Sequence, residues 1–217
     1  MDFLLPLLPF TWRFIEAMGV TIELTALSFA MAFVLGIALT VMAVCPLTPL
    51  RWFAATYVEI MRMTPLLALL LLFVFGLPKL GFMYSLTTSS VLVLGFYTAA
   101  WVAEVLRAGV NAVPAGQVEA ARSIGMRFGQ VLGNVVIPQA MRTVIPPLGN
   151  LFVNQIKASS IAAAIGVFDI TYTAQRINFE TAQAVPTFAA AMVAYMALTI
   201  PLGLMMRRLE RKLAVAR

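Results

Sequence analysis

The side chains best placed to do chemistry in this sequence are amides and charges set in apolar surroundings. Asn150, Asn154 and Lys157 recur at i, i+4 and i+7, with Gln155 beside them, in a run from Thr143 to Phe168 that holds no other charge. That spacing puts the three on one helical face. Such a face cannot meet lipid cheaply, so it should turn to a bundle interior or a water-filled path. There the Lys157 ammonium could neutralise a carboxylate on a small solute while the amides hydrogen-bond its other polar groups. The same residues could equally be interhelical glue between spans or protomers, and both readings stand. Pro146, Pro147 and Gly149, just before, should loosen the helix.

Two further pairs, Glu59 with Arg62 and Glu104 with Arg107, sit at i, i+3 and so share one side of a helix each. Their plainer role is charge pairing near an interface, with partners swapped between the two helices as a variant. A gate whose ion pairs rearrange is the functional version. Little else is reactive. Histidine is absent, and Cys45 stands alone as a small apolar filler, so neither a general base nor a metal site is expected. Thr87, Thr88, Ser89 and Ser90 suit hydrogen bonds back to their own helix better than a site.

The elements that must carry these groups follow from composition. Of 217 residues, 62% are hydrophobic and 11% charged, at a mean hydropathy of +0.95. Soluble domains average about 25% charged residues, so this chain cannot coat a water-facing surface. The expected class is all-α, a polytopic membrane protein with five transmembrane helices in one domain, 1–217. The spans fall at approximately 20–44, 57–77, 83–106, 143–167 and 182–206. The second reaches full length only by including Glu59 and Arg62. The first 18 residues, with Pro6, Pro9, Arg13 and Glu16, read as an interfacial segment that lays Phe3, Leu4, Leu7, Leu8, Phe10, Trp12 and Phe14 on the headgroup boundary.

Five spans place the termini on opposite faces. With the N-terminus outside, eleven of fifteen Lys and Arg residues fall in the cytoplasm, against Arg13, Lys79 and Arg176 outside and Lys157 in the membrane. The reverse orientation breaks the positive-inside rule. The net charge of +6 is therefore an orientation signal, with no nucleic acid implied. The lipid bilayer is the expected surrounding.

The longest interruption, 107–142, lies on the cytoplasmic side and reads RAGVNAVPAGQVEAARSIGMRFGQVLGNVVIPQAMR. Gln117 to Ile124 should be helical with Glu119 in its first turn, and Gly125 should stop it. Phe128, Val131, Leu132 and Val135 then follow an apolar helical stripe that Pro138 should end. The expectation is two short helices about a glycine corner, docked beneath the spans. Ala120 and Ala121 are small enough to let another protein approach closely. A structured loop that merely steadies the bundle is the plainer alternative.

The loop also carries a specific pattern. Glu119-Ala120-Ala121, three residues, Gly125, nine residues, Val135, one residue, then Ile137-Pro138 resembles the EAA motif of bacterial ABC importer permeases. Val135 and Ile137 are conservative departures from it. Tyr57-Val58-Glu59, Arg62 and Thr64-Pro65, then Tyr97, Ala103-Glu104 and Arg107, Gly116-Gln117, and finally Asn150, Lys157 and Ser159-Ser160 resemble the polar amino-acid branch, of the histidine, arginine and glutamate type. Met63 stands where a glycine usually follows the arginine. The resemblance implies a type I import permease, non-catalytic, in the bacterial inner membrane. It implies that the chain binds no cofactor itself, with ATP and Mg on a partner ABC ATPase dimer. The chain has no G-x-x-x-x-G-K-[ST] phosphate loop of its own. It further implies a second permease subunit, identical or related, and a soluble amino-acid-binding protein landing on the outer loop DITYTAQRINFE. Gln117, Glu119, Ala120, Ala121, Arg122 and Gly125 become the expected ATPase-coupling contact. A membrane-embedded enzyme, a channel and a secondary transporter fit less well. The first lacks catalytic groups, the second needs no docking loop, and the third usually shows repeats or more spans.

Overall fold

In the computed structural model, which describes residues 9–214, every regular element is helical and no strand occurs among the described residues. Helix α1 (Thr11–Val44) is followed by α2 (Thr48–Met63), α3 (Leu66–Gly76) and a 3₁₀ turn (Leu77–Leu80). Then come α4 (Leu86–Asn111), α5 (Ala115–Ser123), α6 (Phe128–Val131), a π turn (Leu132–Val136) and α7 (Ile137–Ala158). A 3₁₀ segment (Ser159–Ile165), α8 (Ile170–Thr181) and α9 (Ala184–Ala214) complete the chain. Three helices are long and apolar enough to cross a bilayer singly, or five spans form if each of two bent pairs counts as one.

The centre of the bundle is the packing of α1 on α4, and small residues make it possible. A Cβ on Gly36 would lie 2.5 Å from Cγ1 of Val102, so only glycine lets the two backbones come this close. Around that crossing, Ala32, Leu39, Ala54, Val58, Ala99 and Ala103 form one core shared by α1, α2 and α4. A second core joins Phe14 and Ala17 of α1 to Ile170, Ala174 and Ile177 of α8 and Ala191 and Ala194 of α9.

Four elements differ from the sequence expectation. Helix α1 starts at Thr11, so the segment ahead of residue 20 continues the span, and Phe14 is buried in the second core. Arg13 continues the helix and pairs with Glu180 of α8 at 2.7 Å. Phe3, Leu4, Leu7 and Leu8 lie outside the described residues.

The expected second span, 57–77, is two helices meeting at 102°. Pro65 supplies no N–H and holds Thr64 extended (φ −89°, ψ 133°), which breaks the helix there. The outer loop DITYTAQRINFE is the helix α8. Asp169 caps it by accepting from the Tyr172 N–H at 2.8 Å, and Ala182 ends it at φ +54°. Pro138 does not end the stripe that begins at Phe128, since the chain stays helical to Ala158. The π turn at 132–136 loosens the hydrogen-bond ladder where the proline has no N–H to give.

Candidate functional site

Three polar constellations stand out, each in a different part of the fold. The first is the loop between α4 and α7. Helix α5 starts two residues earlier than expected, at Ala115, which moves Glu119 from the first turn to mid-helix. Its end is a full Schellman closure. The Gly125 N–H donates to Arg122 O at 2.9 Å, and the Met126 N–H donates to Ala121 O at 3.2 Å. Gly125 itself sits at φ +84°, where a side chain is strained. Beyond the corner, Gln130 Oε1 accepts from the Arg127 N–H at 2.9 Å and fixes the start of α6.

This geometry divides the residues expected to contact the ATPase. Gln117, Glu119, Ala120, Arg122 and Gly125 are exposed, while Ala121 is buried against Val131 and Val136 and holds α5 onto the following turn. Gln117 is tethered to α7, since Gln139 Nε2 donates to its Oε1. Two apolar side chains flank the corner and are open to the surroundings. Phe128 was expected inside its stripe but is 73% exposed, and Ile124 is 79% exposed. Only Val131 of that stripe is buried. The π turn rotates the following residues relative to a regular helix, and no periodicity in the sequence reveals that rotation. What the loop offers is a rigid surface with an apolar pair beside a small-residue face and charges of both signs.

The second constellation is on α7. Asn150, Asn154 and Lys157 are exposed together on one face. Gln155 points the other way and is buried. Its Oε1 accepts from Thr98 Oγ1 of α4 at 2.6 Å, and its Nε2 donates to Ser28 Oγ of α1 at 2.8 Å. The four polar residues therefore separate into three that leave the chain and one that joins α1, α4 and α7. Gly149 does not loosen the helix. It is buried against Met206 of α9, whose side chain would have to move aside for a Cβ there.

The third constellation lies where α1, α2 and α4 meet at the same end as the loop. Here Glu104 pairs with Arg107 at 3.0 Å and with Arg62 of α2 at 3.2 Å, so the swapped arrangement forms beside the i, i+3 one. Arg62 also lies over the Trp101 ring, 4.8 Å from its centroid. Glu59 makes no ion pair among the described residues. Glu59, Arg62, Glu104 and Arg107 line a cavity of about 380 Å³ together with Arg51, Thr40, Ala54 and Val58. At the opposite end, Arg13, Glu16, Phe168, Thr173 and Arg176 line a cavity of about 450 Å³ between α1 and α8. Arg176 stacks there over Phe168 at 5.3 Å.

Comparison with known proteins adds a family and several relatives. Residues 32–215 match the family described as the binding-protein-dependent transport system inner membrane component. A probable glutamine ABC transporter permease protein of Bacillus subtilis (strain 168) is 38% identical over 89% of each chain. A glutamate transport system permease protein of Corynebacterium efficiens is 38% identical over 93% of this chain and 94% of its own. An arginine transport system permease protein of Bacillus subtilis is 31% identical over 96% and 94%. Among solved structures, the crystal structure of an amino acid ABC transporter with histidines superposes at a TM-score of 0.93. It shares 33% identity and covers 96% of this chain and 98% of that one.

Proposed function

The chain belongs to the binding-protein-dependent transport system inner membrane component family, as the non-catalytic permease of an ABC importer, and from this premise we propose that it moves a polar amino acid inward by alternating access. Glutamine, glutamate and arginine permeases among its relatives support that substrate class.

The observation that carries the coupling half of this reading is the Gly125 corner. It sets Glu119, Ala120 and Arg122 and the apolar pair Ile124 and Phe128 on one compact, exposed loop. Such a loop fits a groove on an ATPase subunit. ATP and Mg bind there rather than here, and closure of two ATPase subunits pushes paired loops together and tilts the spans they carry. The loop and the C-terminus lie in the cytoplasm and the N-terminus lies outside, in keeping with the distribution of Lys and Arg.

The transport half rests on the α7 face. One chain of this size does not enclose a path, so a second permease subunit, identical or related, faces it across a shared axis. Asn150, Asn154 and Lys157 line the path between them, and the ammonium meets the carboxylate common to all amino acids. Glu104, Arg62 and Arg107 gate its cytoplasmic end. A soluble amino-acid-binding protein delivers substrate at the outer end, where α8 and Arg176 lie.

Reconstitution of the permease with its ATPase and candidate binding proteins in vesicles tests the reading as a whole. The expected result is ATP hydrolysis and uptake stimulated by one or a few polar amino acids. Hydrolysis that no amino acid stimulates, with each component folded and assembled, overturns it.

A further inference from the structure

We propose that the cavity between α1, α2 and α4 seats the phosphodiester headgroup of an acidic phospholipid, with the acyl chains lying along the outer face of α2. Arg51, Arg62 and Arg107 line the cavity beside Glu59 and Glu104. One net positive charge remains. Glu104 is already shared between Arg62 and Arg107, whereas Arg51 makes no ion pair among the described residues. A guanidinium presents a planar fork that matches a phosphate oxygen pair. Basic pockets between membrane helices take acidic headgroups on this principle. The volume, about 380 Å³, falls in the range of about 300–1,000 Å³ that accepts small ligands.

Charge alone would suit any small anion. The rest of α2 gives an amphiphile a second, apolar surface. The helix buries only Ala54 and Val58, on the side that carries Arg51 and Arg62. Its other side exposes Trp52, Phe53, Ile60 and Met63, the last by 83%. A soluble anion has no use for that apolar surface. A lipid uses both sides of the helix at once, placing its phosphate on the arginines and its chains on the tryptophan side. A headgroup with a single negative charge, such as phosphatidylglycerol, neutralises the cavity. Phosphatidylcholine, with no net charge, does not.

The test uses the purified permease–ATPase complex in detergent, offered equal amounts of phosphatidylglycerol and phosphatidylcholine of matched chain length. Native mass spectrometry reads the lipid retained. The wild type is expected to favour phosphatidylglycerol. Arg51→Gln should reduce that preference about fivefold, from roughly 1 kcal/mol per basic residue near an anionic headgroup, and Arg51→Lys should keep most of it. Because Arg51 holds no ion-pair partner among the described residues, neither change should disturb the fold, and the wild-type comparison stands without any variant. Equal retention of the two lipids by the wild type overturns the proposal. So does a preference that Arg51→Gln leaves intact. Displacement of phosphatidylglycerol by millimolar inorganic phosphate would make this a free-anion site, and displacement by a free amino acid would make it a substrate-binding site. Either result also overturns it.

Discussion

Thr98 of α4 donates to Gln155 of α7 across 2.6 Å, inside a helix bundle whose other contacts at that level are apolar or small. The amide completes the link to α1 through Ser28. Hydrogen bonds between membrane helices average about 0.6 kcal/mol and reach about 1.7 kcal/mol. Gln155→Leu keeps the bulk and removes the bonds. The complex should then lose about 1 kcal/mol of stability and still transport, because Gln155 faces away from Asn154 and Lys157. Thermal unfolding in nanodiscs and uptake into vesicles measure the two effects. A variant that is fully stable but cannot transport would move Gln155 into the path.

Glu104 holds two guanidiniums, but the cluster is partly open to solvent, with side-chain exposures of 29% for Glu104 and 40% for Arg62. Pairs this exposed contribute below about 1 kcal/mol. A double-mutant cycle over Arg62→Ala and Glu104→Ala should therefore show a small coupling in stability. The coupling should be larger in the rate of substrate-stimulated ATP hydrolysis if the pair gates the path. Equal and small couplings in both measurements would leave only a structural ion pair.

The loop invites a backbone test. Gly125 has open space around an added Cβ, so the penalty for substitution is conformational alone. At φ +84° an alanine costs about 1–2 kcal/mol, while an asparagine tolerates that region better. Gly125→Ala should weaken recovery of the ATPase with the purified permease and leave membrane insertion intact. Gly125→Asn should fall between it and the wild type. If Gly125→Ala recruits the ATPase as well as the wild type does, the corner is not what presents the docking surface.

Much of this arrangement was legible in the sequence, for physical reasons that also explain what was not. Glycine at a helix end acts locally, so the Gly125 corner is written in a few neighbouring residues, whereas the hydropathy that joins 57–77 into one span passes over the break at Pro65. The angle at Pro65 is a different matter, since it depends on what α2 and α3 pack against. Helix α8 hid because its residues are as polar as a loop. Its helical state rests on the Asp169 cap and on burying Ile170, Ala174 and Ile177 against the neighbouring α9 and against α1, which lies more than a hundred residues away in the chain. The α7 pattern shows the same limit. Spacing placed Asn150, Asn154 and Lys157 on one face. It could not show that Gln155, one residue from Asn154, turns inward to meet partners on two other helices.

The sharpest prediction concerns that outward face. Asn150, Asn154 and Lys157 are exposed on a chain whose exposed surface is otherwise rich in Val, Leu, Ile and Phe. An ammonium facing lipid at membrane depth costs about 2.5–3.5 kcal/mol on insertion scales, so the face must meet water, substrate or a partner chain. If it lines the path, Lys157→Ala should sharply reduce uptake of every amino acid the complex carries, because the carboxylate it meets is common to them all. Asn154→Ala should act more selectively, altering the ranking of substrates through lost hydrogen bonds to their side chains. Neither change should lower the thermal midpoint of the complex, since neither side chain makes a hydrogen bond or ion pair among the described residues. If it is instead glue between two permease chains, both variants should loosen the dimer on size-exclusion chromatography and lower its stability, with transport falling only in proportion. Normal uptake of all substrates by both variants, with the dimer intact, would remove this face from the mechanism altogether.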